Sequence, residues 1–277
     1  MMVKFIVKEK QGVFGISILL LFGLVAILAP YIAPVDPWKS FKPNLGMSRD
    51  HFLGTDLLGR DVFSQLVWGS RTSLLVGVGS AMGILILGTL IGLVSALSKP
   101  FVDEILMRLT DIVLYIPKLP LLIFLAMILG RGFVNVVVVL IFTMWPQTAR
   151  IIRSEVLSIK QRPFIEAAKV AGVRTLGLVK IIIPHVLPLI LASLTNLTIW
   201  AVVYEASLSF LGLGDPAIIS WGTMFHFAFI SGVIYTGNYI PIIAPGLCIT
   251  VFGIGMHYLA STIQSVYIKR AKLWRPF

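Results

Sequence analysis

Apolar residues along this chain fall into long unbroken runs. A half-buried strand would show alternation, and a soluble helix a narrower stripe. Residues 13–32 hold 20 positions without a charge. At about 1.5 Å per residue such a run crosses a hydrocarbon core of about 30 Å. Pro30 and Pro34 close it. A second run covers 72–98 and a third 112–130, the latter broken by Pro117 and Pro120 with Lys118 between them. A fourth covers 133–149, with Trp145 and Pro146 near its exit, after a tight turn at Arg131 and Gly132. A fifth covers 186–204, carries Asn196 and ends at Glu205. Residues 216–268 contain no Asp, Glu, Lys or Arg. Length assigns a sixth span to 240–263 and leaves 221–239, shorter and glycine-broken, as a seventh crossing or a re-entrant hairpin.

The polar intervals differ in kind. Residues 35–71 are mixed and rich in Pro and Gly, and they form the longest aqueous loop on their side. Within them Gly54, Thr55 and Asp56 read as a turn and helix cap. Residues 61–71 read as an interfacial amphipathic helix leading into the second span. Residues 99–111 read as a short charged turn. Residues 147–188 carry Arg150, Arg153, Lys160, Arg162, Lys169, Arg174 and Lys180 against Glu155 and Glu166. Apolar runs flank this stretch on both sides, so a soluble, helical, basic loop interrupts a membrane domain.

Side assignment follows from charge. Lys and Arg favour the cytoplasmic loops of membrane proteins. Six spans put the N-terminus, the 99–111 turn, the basic loop and the tail with Lys269, Arg270, Lys272 and Arg275 on that side. Seven would export the basic tail. Six are expected, with 221–239 lying at the outer surface and both termini cytoplasmic. The resulting division is a cytoplasmic segment at 1–11 and a first transmembrane helix with an external loop at 12–71. A five-helix core follows at 72–268, with a cytoplasmic loop at about 150–185, and then a cytoplasmic tail at 269–277.

Composition agrees with the pattern. The chain is 57% hydrophobic and 13% charged, with a mean hydropathy of +0.95. Soluble domains carry about 25% charged residues, so the bilayer must be the solvent. The net charge of +11 sits beside apolar spans rather than in a patch for nucleic acid, and no nucleic-acid partner is expected. Cys248 is the single cysteine, which allows neither an internal disulfide nor a thiol metal cluster. The 20-residue first run exceeds the 7–15 of a secretory signal and is read as a retained span.

Local features carry competing readings. Gly79 with Gly83, and Gly88 with Gly92, have the four-residue spacing that lets helices approach closely in lipid, although glycine is also simply common in membrane helices. Lys118 would cost about 2.5–3.5 kcal/mol near the bilayer centre, so it is read as snorkelling towards the nearby loop. Pro163 suits a first helical position and Gly172 the position past the end. Between them Phe164, Ala167, Ala168 and Ala171 share one face, with Glu166 and Lys169 opposite. Two turns are too short to stand alone in water. The face packs either on a partner or on the chain's own membrane domain. Thr175 is expected to cap a second loop helix that Pro184 stops. Glu205 either lines a path or steadies an outer gate, or it caps the corner at 207–214. The nearness of the outer interface favours the cap.

Several motifs together resemble a known family. Glu166-Ala167-Ala168, then Gly172, then Ile182-Ile183-Pro184 look like the loop of membrane subunits of binding-protein-dependent ABC importers. Residues 53–64 (L-G-T-D-L-L-G-R-D-V-F-S), 111–117, 145–157 and 205–214, with Trp221-Gly222, are similar to the C-type permease subunit of the dipeptide/oligopeptide/nickel group. Two departures stand out. Gly172 to Pro184 is one residue shorter than the usual spacing, and the group's acidic-basic tail is replaced by residues 256–265.

The resemblance implies an all-α membrane protein with six transmembrane helices in the type I, MetI-like permease fold, located in the plasma (inner) membrane. It implies coupling to an ATPase through Phe164, Glu166, Ala167, Ala168 and Gly172. Apart from the resemblance, Asn196 and Glu205, as polar residues of the fifth span and its end, are candidates for the translocation path or outer gate. The resemblance implies as partners a homologous second permease subunit, two ATP-binding cassette subunits and an extracellular substrate-binding protein. ATP and Mg would belong to the ATPases, with no cofactor, metal or catalytic residue on this chain. The expected cargo is a peptide, an oligosaccharide or a nickel chelate. No G-x-x-x-x-G-K-[ST] or H-E-x-x-H occurs, and His51, His185, His226 and His257 lack ligand spacing. The alternative is a self-contained secondary transporter or channel, which would need paired intramembrane charges or inverted repeats.

Overall fold

The computed structural model describes residues 9–273. Among them the chain forms eleven helices and no strand, with only isolated bridges at Ser40–Arg60 and Thr55–Asp61. In order these are α1 (Lys10–Ile27), α2 (Ala29–Ile32), α3 (Val62–Leu97), α4 (Pro100–Tyr115), α5 (Lys118–Leu129), α6 (Phe133–Lys160), α7 (Pro163–Val170), α8 (Thr175–Phe210), α9 (Trp221–Ile230), α10 (Val233–Thr236) and α11 (Ile240–Leu273). Five of them, α1, α3, α6, α8 and α11, are long and apolar enough to cross a membrane. Helices α4 and α5, counted as one span broken by a 94° bend, make the sixth.

The helices differ from the apolar runs at their ends. The first run is α1 followed by the single turn of α2, with Pro30 near its start. The expected interfacial helix at 61–71 does not stand apart, because α3 runs unbroken for 36 residues. Its cap is Asp61, whose carboxylate accepts from the Ser64 N–H at 2.8 Å, rather than a residue of 54–56. The stretch 99–111, expected to be a turn, is helical because Pro100 starts α4 and Asp103 sits in its first turn. The third run breaks at Ile116 and Pro117. Residues 147–160 continue α6, and 175–183 are the first part of α8, which passes through Pro184 and Pro188. So Pro184 does not stop a loop helix, and the N-cap is Arg174 without a side-chain cap, not Thr175. Prolines are tolerated here because packed neighbours and local adjustment satisfy the freed carbonyls.

Segment 221–239, expected at the outer surface, divides in two: its second half, from Phe229 to Tyr239, is mostly exposed, and its first half is packed. Helix α9 has 10 residues, about 15 Å at 1.5 Å per residue and too short to cross. Its N-terminal half is packed into the bundle, while its end at Phe229 and Ile230 is exposed. Trp221 is wholly buried and its indole N–H donates to the Leu66 carbonyl at 3.2 Å. The helix packs on α8, α11 and α3. The boundary expected at 71/72 falls inside α3, and α1 packs on α11 and α3, so the first span belongs to the same bundle. Lys269, Arg270 and Lys272 fall in the last turns of α11, whereas residues 1–8 and Arg275 lie outside the described residues.

Three large apolar clusters hold the bundle, with a small fourth where Ala192 meets Ile263. One joins α3, α5, α6 and α8 around Ile84, Leu122 and Leu140. A second gathers α1, α3, α8, α9 and α11 around Trp221 and Phe252. The third, around Ile152, Ile159, Ile165 and Ile182, joins α3, α6, α7 and α8 at the end of the bundle that carries the basic segment. The α3–α6 contact is the most extensive between helices, and glycine makes it close. A Cβ on Gly88 would lie 2.9 Å from the Trp145 carbonyl oxygen, and one on Gly92 2.7 Å from that of Ala149. Gly79 has nothing within 4 Å. The spacing thus has a packing role at 88 and 92 and none at 79.

Candidate functional site

Helix α7 begins with Pro163 at its first turn and ends in a Schellman motif. The Val173 N–H reaches the Ala168 carbonyl at 3.0 Å and the Gly172 N–H that of Lys169 at 2.9 Å. Gly172 takes φ +80°, the left-handed conformation that the motif requires and that L side chains resist. The helix sits on the bundle through Ile165, which is fully buried in the third cluster, with half-buried Ala168 packed beside it. The Phe164 ring, 38% exposed, lies 5.2 Å from that of His185. Ala167, Ala171 and Glu166 face away from the bundle and are exposed. Val170 and Leu176 are 90% and 80% exposed, so an apolar outer surface continues past the turn. Of the face expected to be shared, Ala168 turns inward, Phe164 lies against His185 of α8, and Ala167 and Ala171 turn outward; the inward anchor is Ile165, which the alanine spacing did not single out.

The basic residues expected in a loop are partly used inside the bundle. Arg153 makes a two-pronged pair with Asp103, at 2.6 Å from Nε and 2.5 Å from Nη2. Ser95 also bonds to Asp103, Arg150 pairs with Asp111, and Lys160 Nζ donates to the Ala96 carbonyl at 2.9 Å. These bonds tie α6 to α3 and α4 just above the cluster that seats α7. Asp103 and Asp111 escaped sequence reasoning because 99–111 read as a turn. The signal was Pro100 at a helix start, with two acids on the helix it opens.

Asn196 and Glu205 lie on α8 but not in one site. Asn196 lines an open cavity of about 430 Å³ between α5, α6 and α8, together with Lys118, Gln147, Ser193, Trp200 and Tyr204. Lys118 is therefore not reaching away to the loop. Its Nζ lies over the Tyr204 ring, 5.8 Å from the centroid, and Trp200 stacks on Tyr204 at 5.7 Å. Glu205 is 3% exposed and accepts from Ser220 Oγ at 2.7 Å, Ser209 Oγ at 2.8 Å and Ser73 Oγ at 3.4 Å. Ser73 Oγ in turn accepts from the Trp221 N–H at 3.1 Å. The carboxylate joins α3, α8 and the start of α9 beside a void of about 10 Å³, about the room of one water.

At the same end, the 53–64 motif folds into a built loop. Gly59 holds φ +79°, where a Cβ would meet the Phe41 carbonyl oxygen at 2.2 Å. The Asp56 carboxylate accepts from the Leu58 and Arg60 N–H groups, Arg60 Nε and Gln65 Nε2 within 3.1 Å. Buried His51 bonds Asp61 at 2.9 Å. That pairing explains one histidine as structural, and the described residues hold no group of three potential metal ligands. The Arg60 guanidinium lies over the Phe227 ring at 4.3 Å, fastening the loop to α9.

Residues 88–267 match the family model described as Binding-protein-dependent transport system inner membrane component. The chain is 35% identical over 251 residues to the Oligopeptide transport system permease protein OppC of Bacillus subtilis, covering 89% of this chain and 82% of that protein. It is 36% identical over 221 residues to the Dipeptide transport system permease protein DppC of the same organism, covering 78% and 69%. It is 35% identical over 223 residues to the Glutathione transport system permease protein GsiD of Pectobacterium atrosepticum, covering 76% and 72%.

Proposed function

This chain belongs to the family of inner membrane components of binding-protein-dependent transport systems, and from that premise we propose that α7 receives the force of a partner ATPase and that peptides are the cargo. The chain is a multi-pass membrane permease subunit of an ABC importer, not an enzyme, and it works with ATPase and substrate-binding partners. ATP and Mg act on the ATPases. Two permease subunits and two ATPases per importer are the arrangement we favour, since the cavity beside Asn196 is not enclosed by this chain alone and a homologous second subunit would help to close it. Both termini are cytoplasmic in this reading, as is the end carrying α7. The basic residues of that end and of the tail support it under the positive-inside tendency. Peptides are favoured because the relatives compared above are permeases of oligopeptide, dipeptide and glutathione transport systems.

One observation carries the coupling role. Helix α7 is pinned to the bundle by Ile165 on one side, while Ala167, Val170 and Ala171 on the other are exposed and small enough for close docking. Phe164, Glu166 and Ala168 set its tilt, rim charge and seat, and Gly172 sets its exit. Glu166 enters no ion pair among the described residues and can meet a cation on the ATPase. Glu205 holds the outer corner in place rather than lining the path, and Asn196 lines it.

The test is to make Glu166→Lys and Gly172→Leu in the assembled importer. A Leu at φ +80° is strained by about 1–2 kcal/mol, but open space surrounds the position, so the harm stays in the turn. Both variants are expected to lose co-purifying ATPase and transport while the membrane domain keeps its thermal midpoint. Gly172→Asn, which tolerates the left-handed region, should retain both. Normal assembly and uptake in Glu166→Lys and Gly172→Leu would refute the coupling role.

A further inference from the structure

We infer that Lys118 is a specificity-determining residue of the translocation path: it receives the terminal carboxylate of the passing peptide, while Trp200 and Tyr204 take an apolar side chain. The placement of Lys118 is the starting point. It is the first residue of α5, just past the 94° break, and it lines the 430 Å³ cavity. It is the only charged residue of that lining, which includes no carboxylate among the described residues. It enters none of the ion pairs of the described residues, and its ammonium lies over the Tyr204 ring. Its position is also electrostatically unfavourable in the free protein. The N-terminal end of a helix carries partial positive charge, so a lysine there is repelled and an anion is attracted. The Pro117 cap contributes no side-chain acceptor to offset this. An anion entering the cavity would meet both the ammonium and the open end of α5.

The remaining lining suits a peptide rather than a simple ion. Gln147, Ser193 and Asn196 offer donors and acceptors of the kind a peptide backbone uses. The Trp200 and Tyr204 rings lie nearly parallel, 26° apart, and form an apolar wall beside Lys118, with Trp200 53% exposed. A cation at one end, amide-bearing side chains along the floor and an aromatic wall together fit an extended peptide with its carboxylate at Lys118.

This inference rests on the peptide reading for its ligand, so its test has two arms. The first needs no substrate. In the complete importer, the single cysteine is removed as Cys248→Ala and a probe is placed as Asn196→Cys. Anionic and cationic methanethiosulfonates of equal size are then applied during ATP turnover, and modification of residue 196 is read by mass spectrometry. With Lys118 present the anionic reagent should react faster by on the order of tenfold, and Lys118→Gln should erase the preference. An unchanged ratio in Lys118→Gln, or no reaction with either reagent during turnover, would overturn the proposal. The second arm compares uptake of a tripeptide with a free carboxylate and its C-terminal amide, each as the ratio of Lys118→Gln to wild type. Only the free acid should fall, and an equal fall in both removes the carboxylate contact. If the unaltered importer takes up neither peptide, the peptide reading fails while the reagent arm still decides whether Lys118 attracts anions.

Discussion

At the scale of single residues, Glu205 shows how an acid can be held inside an apolar bundle by hydroxyl donors alone. Three serine hydroxyls from α3, α8 and the start of α9 donate to it. Removing the carboxylate as Glu205→Ala leaves those buried hydroxyls without their acceptor, at about 1–3 kcal/mol for each unsatisfied group. Glu205→Gln keeps one acceptor oxygen and the side-chain volume, so its penalty is smaller. The expected outcome is a lower thermal midpoint of the purified importer for Ala and a lesser drop for Gln, with transport falling only as far as stability does. A loss of transport in both variants at an unchanged midpoint would return Glu205 to the path or gate. The sequence could indicate that this acid sits near a corner, because the glycine-proline turn follows it. It could not reveal the clamp, since Ser73 lies 132 residues away and nothing in a linear reading pairs them. Arg60 makes the same point: its motif is visible in 53–64, but the Phe227 ring beneath it is not.

At the scale of elements, apolar runs located every long helix and misplaced most of their ends. Charge was the misleading cue. Arg150, Arg153 and Lys160 read as solvated loop, whereas α6 continues through them because Asp111, Asp103 and the Ala96 carbonyl satisfy them. Pro184 misled in the other direction, since proline stops a helix in water more reliably than one packed among neighbours. The short helix at 163–170 was legible because its start, its stop and its glycine are all local signals. Glycine spacing alone could not separate contact from accident, and the packing of α3 now can. A Cβ at Gly92 meets backbone oxygen at 2.7 Å and the Ile152 side chain at 3.0 Å, while a Cβ at Gly79 meets nothing. Gly92→Leu should therefore force α3 and α6 apart at a cost of about 1–3 kcal/mol or more, and Gly79→Leu should be close to neutral. Expression, monodispersity and thermal midpoint in detergent give the comparison. Equal tolerance at both positions would contradict the close α3–α6 contact.

For the whole molecule, the proposed coupling role raises the question of how a push on an eight-residue helix would become a rearrangement of the bundle. Swinging a two-state membrane domain from 1:99 to 99:1 takes about 5.5 kcal/mol of differential binding. That energy reaches the spans only if α7 is rigidly joined to them. The joint is Ile165, fully buried among Ile152, Val156, Ile159, Leu178 and Ile182 of α6 and α8. The Arg153–Asp103 pair braces the same region against α4, at half-buried positions where a two-pronged guanidinium–carboxylate contact holds its geometry. The proposed docking surface and the joint thus lie on opposite sides of one helix and can be separated by mutation. Ile165→Ala leaves Ala167, Val170, Ala171 and Glu166 untouched, but opens a cavity under the helix at about 2–5 kcal/mol. The ATPase should still assemble and still hydrolyse ATP, while the substrate moved per ATP falls several-fold because α7 slides on its seat instead of carrying α6 and α8 with it. Glu166→Lys should instead lose the ATPase itself. Paired measurements of uptake and hydrolysis in proteoliposomes distinguish the two. If Ile165→Ala transports with the stoichiometry of the unaltered importer, force must enter the bundle by a route other than the third cluster, and the flanking turns at 161–162 and 171–174 become the place to look.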